Sequence, residues 1–338
     1  MSWLLATQLL TAAPGLILGK DARTNNPGPP LIQRLGTIAA WPIGECTPIV
    51  FKGKLYRYEW VHKGYQGNQL GDDYSRIIDV STGEGTAPFA KGYVFGSAFV
   101  YGGTVYVSAT SKETGLHRDR IQIFASNDLH RWDSWTALDL PGFSICNTSI
   151  CRATNNFVMM FEIDKPVEQA GVPFTARFAT SAELRHWELT PPECVYAKDR
   201  YTAPHCLRYA DGYFYDFYLE ACPGWYETRL VRSKDLVHWE ASPLNPVLRP
   251  NDDDKKIANP KLTPAQRERI AKLGNVNNSD MDLCEYQGKV IIIYCWGNQT
   301  DEGNLGEAFY SGSLEQFLKA WFPSSAMTSD IETKGGPL

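Results

Sequence analysis

The sequence predicts an all-β chain, a five-bladed β-propeller of four-stranded antiparallel blades. Three observations predict it. A box of the form Ser-x-(Asp/Glu)-Leu-x-x-Trp occurs three times, as "SNDLHRW" (126–132), "SAELRHW" (181–187) and "SKDLVHW" (233–239). Its tryptophans, Trp132, Trp187 and Trp239, lie 55 and then 52 residues apart, close to the repeat length of a propeller blade. A strand–turn–strand unit recurs five times, at 47–61, 97–110, 149–163, 209–221 and 283–296. Gly53, Gly103, Gly212 and Gly288 take matching turn positions and Asn156 takes the third, as suits residues that tolerate the positive φ of a two-residue hairpin. Aromatic residues make up 12% of the chain, and aromatics pack well on pleated surfaces.

The elements follow in order. Residues 1–40 precede the first blade and are expected to wrap it or close the ring, because unpaired first and last edges would be exposed. The five blades span 41–323. The fourth is the clearest: "APHCLRYADGYFYDFYLEACPGWYETRLVRS" reads as a strand, a turn at Asp211-Gly212, a long strand, a Pro-Gly break and a third strand. The Trp box then opens a fourth, outer strand. Residues 250–275 form a helical insertion before the last blade, with Thr263 as N-cap, Pro264 at the first helical position and Gly274 after the last turn. The preceding "NDDDKK" run reads as a solvated loop. "SLEQFLKAWFP" (313–323) is a short C-terminal helix stopped by Pro323. The whole chain, 1–338, reads as a single domain.

Composition excludes several function classes. The formal net charge is −5, so there is no basic excess of the kind that binds nucleic acid. Eight cysteines include no C-x-x-C pair and no zinc spacing. They read as free buried thiols, which suits a reducing compartment. The apolar start "MSWLLATQLLTAAPGLILGK" has no Lys or Arg ahead of it and is broken by Pro14. It is a poor signal peptide and too broken for a membrane span. A cytoplasmic protein is favoured, with export open and no membrane partner; the oligomeric state is not legible. No Walker A, dinucleotide fingerprint, G-x-S-x-G or H-E-x-x-H motif occurs.

The Trp box and the "APHCLRYADGYFYDFYLEA" strand pair resemble the five-bladed propeller glycoside hydrolases, among them families 43, 32, 68, 117 and 130. The resemblance spans roughly 41–323. In family 43 it implies three carboxyls, a base, a pKa-modulating Asp and an acid Glu, each at the start of the innermost strand of a different blade. One carboxyl must protonate the leaving oxygen while another activates water. Carried over, the base falls at Glu45 in "GECTP", the modulator at Asn147 and the acid at Thr202 in "TAPH". One carboxylate of three is present. Some relatives hold a divalent ion in the central channel; this chain has no dedicated metal motif, and no cofactor is expected.

Inner strands start, and their hairpin partners end, on one face. Carboxyls on that face can replace the missing ones. Asp280 stands eight residues before its hairpin turn, as Glu45 does, in the neighbouring last blade. Glu220 ends an apolar strand near Tyr218 and Trp225, where desolvation would favour its protonated form. Glu162 ends the corresponding strand of the third blade, and His205 is a further acid candidate. Trp60 and Trp296 are placed to stack on a sugar, and Asn147, Thr202, Asp282 and Asn298 to bind its hydroxyls. The expected function is an exo-acting, inverting glycosidase with a carbohydrate substrate. Glu45 or Asp280 would be the base, and Glu220, His205 or Glu162 the acid. A sugar-binding propeller without hydrolytic activity is one alternative. A glycoside phosphorylase using Arg118, Arg120, Lys165 or Arg200 is the other.

Overall fold

After β1 (Gln33–Ala40), the strands fall into five groups along the chain, each antiparallel within itself, and the fourth and fifth join into one sheet through a parallel bridge between Tyr226 and Asn277. The structure, a computed structural model, describes residues 28–40, 45–65, 67–111, 118–298 and 303–323; the wrapping segment expected over 1–27 lies outside them. The first group is β2 (Cys46–Phe51), β3 (Lys54–Val61) and β4 (Tyr74–Asp79). Isolated bridges from Gly85 and Phe89 add an outer margin to it. The second group is β5 (Tyr93–Tyr101), β6 (Thr104–Ser111), β7 (Arg120–Ser126) and β8 (Asp133–Asp139). In the third, β9 (Ser144–Arg152), β10 (Phe157–Lys165) and β11 (Thr175–Ser181) carry two short outer strands, β12 (Glu188–Leu189) and β13 (Val195–Tyr196). The fourth is β14 (His205–Ala210), β15 (Tyr213–Cys222), β16 (Trp225–Ser233) and β17 (Trp239–Ala241). The fifth is β18 (Asn277–Tyr286), β19 (Lys289–Gly297) and β20 (Gly303–Ser311).

The first strands of the groups make a closed circuit of contacts. β2 touches β5, β5 touches β9, β9 touches β14, β14 touches β18, and β18 returns to β2. β1 pairs antiparallel with β20, from Gln33 opposite Phe309 to Ala40 opposite Asn304. The chain's first described strand therefore supplies the outer edge of its last group. Apolar clusters fill the seams between groups; one, for example, holds Ile49, Tyr58, Val94, Val105 and Phe124.

Four of the five inner hairpins close as the turn residues predict. Lys52-Gly53, Gly102-Gly103, Asp211-Gly212 and Gln287-Gly288 all have positive φ at both central positions, the type I′ geometry. The third hairpin departs from expectation. Asn156 ends a four-residue connection in which Ala153 N–H bonds back to Asn156 C=O (2.9 Å), and its φ is not positive.

The Trp box is a turn between third and fourth strands. Its Ser Oγ accepts the N–H of the Leu three residues on, at 2.8 Å for Ser126, 2.9 Å for Ser181 and 2.9 Å for Ser233. That Leu has positive φ in all three copies (Leu129, Leu184, Leu236). The Trp then returns to the turn: Trp187 Nε1 donates to Leu184 C=O (3.0 Å), and Trp239 Nε1 to Leu236 C=O (3.2 Å). Trp132 instead stacks on Phe89 at 3.8 Å.

Helix α1 (Val167–Ala170) is a single turn. α2 (Pro264–Lys272) has Thr263 as its cap, in a reciprocal pair with Gln266. It ends on an extended Leu273 one residue before the glycine expected to stop it. α3 (Leu314–Ala320) buries Phe317 and Leu318 against the fifth group. The acidic run ahead of α2 corrects the solvated-loop reading. Asp254 is fully buried and accepts from Arg34 Nη1, Tyr294 Oη (2.7 Å), Asn275 Nδ2 (2.7 Å) and Asn278 Nδ2 (3.1 Å). It ties β1, β18 and β19 together. Gly36 of β1 allows the close approach: a Cβ there would sit 2.3 Å from Lys256 O.

Candidate active site

One pocket collects the entries of all five inner strands. It is lined by Glu45 ahead of β2, Gly96 and Ser97 of β5, Asn147 of β9, His205 of β14 and Asp280 of β18. Its volume of about 30 Å³ holds a water molecule, so a larger guest would rest on these side chains from the open side.

Three of the strands are bulged at this end. Pairing slips between Val94 and Ser97 in β5, between Cys146 and Thr148 in β9, and between Ser279 and Asp282 in β18. A bulge leaves a residue unpaired and re-aims its side chain. Asn147 is such a residue, and so is Asp280, whose φ of 51° lies in the left-handed region, where Asp is among the better tolerated side chains. Gly96 is required by proximity: a Cβ would stand 2.2 Å from the Tyr58 hydroxyl.

The carboxyls differ in what they touch. Desolvation raises the Glu45 pKa well above the usual carboxyl range, and the negative charges of Asp280 and Glu162 push it further. Its Oε2 is buried with no hydrogen-bond partner among the described residues. Asp280 is also raised by desolvation, but hydrogen bonds from Ser279 Oγ and the Cys295 thiol act against this. Glu162 is fully buried directly beneath Asn147 and His205. Asn147 Nδ2 donates to its Oε2 (2.9 Å) and the His205 backbone N–H to its Oε1 (2.8 Å). Burial nevertheless lifts its pKa to about 7. The three carboxyls thus stand close enough to sense one another electrostatically.

His205 is held from both sides. Its Nδ1 meets Asp216 Oδ2 at 2.8 Å and its Nε2 meets Thr202 Oγ1 at 3.0 Å. Burial pulls the imidazole pKa down, but the Asp216 and Glu162 carboxylates outweigh that and raise it above the ordinary value. With both ring nitrogens engaged, the imidazole has no lone pair to offer a metal. No group of three or more His, Cys, Asp or Glu side chains placed to hold a metal ion occurs among the described residues.

Several expected site residues are placed elsewhere. Glu220 is ion-paired, with Arg200 Nε 3.1 Å from each carboxylate oxygen and the Tyr218 hydroxyl at 3.2 Å. It is not part of the pocket lining, so the structure does not bring it together with Glu45 and Asp280. Trp296 is fully buried, with Nε1 on Thr37 Oγ1 (3.0 Å), because β1 brings Thr37 to it. Trp60 is 7% exposed and packs against Phe95 (5.1 Å) and His62 (5.6 Å). Neither indole offers a free face to a sugar. Thr202 is buried under His205. Asp282 lines the pocket but is paired with Arg208. Asn298, half-buried after β19, is outside the pocket lining.

The sequence reading missed Gly96, Asp216 and Tyr201. Tyr201 is half-buried; burial raises its hydroxyl pKa, and the Glu162 and Asp280 charges add to this, which sets the ring beside the site. Asp216 had a visible signal, an acid in the middle of the apolar strand "YFYDFYLEA".

No protein-family profile matches the sequence, and no curated protein does. Solved structures share the fold. An α-L-arabinofuranosidase of family 62 from Coprinopsis cinerea superposes with a TM-score of 0.57 at 10% identity, covering 84% of this chain and 98% of that one. The α-L-arabinofuranosidase PaAbf62A from Podospora anserina, in complex with cellotriose, gives 0.55 at 10% identity, covering 85% and 99%. An endo-1,4-β-xylanase from Bacteroides thetaiotaomicron gives 0.52 at 12%, covering 80% and 91%. At these identities the likeness is one of fold. No helix among the described residues is long and apolar enough to cross a membrane.

Proposed function

We propose that the five strand groups are the blades of a five-bladed propeller and that the protein is an exo-acting glycosidase. It would remove a terminal sugar from an oligosaccharide or glycoside seated over the pocket. The observation that carries this reading is the meeting of Glu45 and Asp280, from the first and last groups, in one pocket with opposite hydrogen bonding. Glu45, with Oε2 free of partners among the described residues and its pKa the more strongly raised, is suited to hold a proton and give it to the leaving oxygen. Asp280, accepting two hydrogen bonds, is suited to stay ionised and activate water. This assignment makes Glu45 the acid, where family resemblance suggested a base. Glu162, too buried to reach a substrate, tunes Glu45 by its charge. Inversion is the expected stereochemistry, which requires the two carboxyls to be about 6.5–9.5 Å apart across the sugar.

The relatives in fold are arabinofuranosidases and a xylanase, so pentose-containing oligosaccharides and aryl pentosides are the first substrates to test. NMR of the released sugar reads the anomer directly. Loss of turnover in both Glu45→Gln and Asp280→Asn is expected. Undiminished release in those variants would overturn the assignment. A sugar-binding propeller without turnover is the second reading, favoured by Thr202 standing where the family's acid is expected. It predicts binding of the same oligosaccharides without release of sugar. Phosphorolysis loses support because Arg118 is spent on Ile145 C=O (2.9 Å) and Ser144 Oγ (3.2 Å), and Arg200 on Glu220.

A further inference from the structure

The circuit of inner strands has a second mouth, at the end opposite the carboxyls. All five inner strands contribute to a cavity of about 270 Å³ there. Ile49, Phe99, Ile150 and Leu283 give it apolar walls, and Arg152 gives it a cation. The Arg152 guanidinium lies over the Phe157 ring at 4.7 Å and near the Tyr101 ring at 5.8 Å, so its plane is fixed by stacking. Its Nη1 is buried and has no hydrogen-bond partner among the described residues. A buried charged donor left unpaired is costly, and in native proteins it usually marks an acceptor supplied from outside the chain.

The other cation of this mouth is already used, and its carboxylate, Glu285, is exposed at the rim. Arg208 binds Asp282 and the carbonyls of Leu207 and Leu283. Glu285 accepts the Leu314 N–H at 2.8 Å. One cationic handle above apolar walls therefore remains. We infer that this cavity binds a small monocarboxylate with an apolar body, its carboxylate on Arg152 and its tail along Ile49, Phe99 and Ile150. A guanidinium matches a carboxylate in geometry as well as charge, and the volume sits near the small end of ligand pockets.

The probe is octanoate, with 1-octanol as a neutral molecule of equal chain length, titrated into the full chain by ligand-detected NMR and thermal shift. Octanoate is expected to bind at least tenfold more tightly than octanol and to raise the melting temperature, since a ligand of the native state stabilises it. Arg152→Met should weaken octanoate at least tenfold and leave octanol unchanged. Equal binding of the two probes, no binding of either, or unaltered octanoate affinity in the variant would overturn the inference. Should Arg152→Met fail to fold, Val50→Glu tests the same point. Val50 is a half-buried lining residue, and a carboxylate there must repel octanoate; unchanged affinity again sinks the proposal.

Discussion

Replacing Asp254 by alanine removes a carboxylate that five donors converge on: Arg34 Nη1, the Tyr294 hydroxyl, the Asn275 and Asn278 amides and the Asn251 backbone N–H. Asp254 is fully buried and the Arg34 side chain is 11% exposed. Breaking a buried ion pair from one side costs roughly 3–5 kcal/mol. Tyr294 and Asn278 are also fully buried, and each donor orphaned there adds about 1–3 kcal/mol unless water enters the gap. Asn251 is exposed and Asn275 half-buried, so solvent takes their place. The expected cost is about 5 kcal/mol, a large share of the 5–15 kcal/mol typical of a domain. At roughly 2–4 °C per kcal/mol for a chain of somewhat smaller size, melting falls by about 10–20 °C. Circular-dichroism melts measure this, and hydrogen exchange should show protection lost first over 33–40. The neighbouring Asp253→Ala is the control. Its pair with Lys256 is solvent-exposed (2.9 Å, side chains 58% and 48% exposed) and such pairs contribute under about 1 kcal/mol. Melting temperatures of the two variants within 2 °C of each other would refute the reasoning.

Other outcomes follow from the site and the turns. Activity should be bell-shaped in pH, with Asp280 setting the acid limb and the raised Glu45 the alkaline limb. Glu45→Gln should lower kcat/KM by about 10²–10⁴, and Glu162→Gln should move the alkaline limb to lower pH by removing a charge that raises Glu45. A limb that stays in place would exclude Glu45 as the proton donor. Glu162 also bears on stability. Its pKa is raised from the unfolded value to about 7, so its contribution is complete below about pH 4.5 and is lost as pH rises through 7, on the order of 3 kcal/mol in all. The melting temperature of Glu162→Gln relative to the parent should therefore climb between pH 5 and 8; a constant difference contradicts it. Asn147 Oδ1 has no partner among the described residues, so a flipped amide can accept from the new Gln. Ser181→Ala orphans the Leu184 N–H and should cost about 1 kcal/mol, read as a shift of the urea midpoint without a change of slope.

The strand pairs were legible because their signals are local. Gly53, Gly103, Gly212 and Gly288 each mark a turn within a few residues of the strands it joins. The Trp box is likewise self-contained, since its Ser, Asp and Leu meet within one turn. The site was harder because its geometry is set by slips in register and by partners far along the chain. Asp280 and Asn147 reach the pocket through bulges, which leave no compositional mark. Glu220 looked like an isolated carboxyl because Arg200 lies on a separate loop. Trp296 looked free because Thr37, which covers it, sits at the other end of the chain. Asp254 shared its acidic run with exposed neighbours, and side-chain polarity alone cannot say which member of such a run turns inward.

The pairing of β1 with β20 also sets a condition on how the molecule is made. Gln33 is among the first described residues to leave the ribosome and Phe309 among the last, so the outermost strand of the final group waits for almost the whole chain before it has a partner. Contacts of such sequence separation are slow to form, and until then β1 presents an unpaired edge to other chains. Truncation at either end should have the same consequence, an open seam that a second molecule can fill.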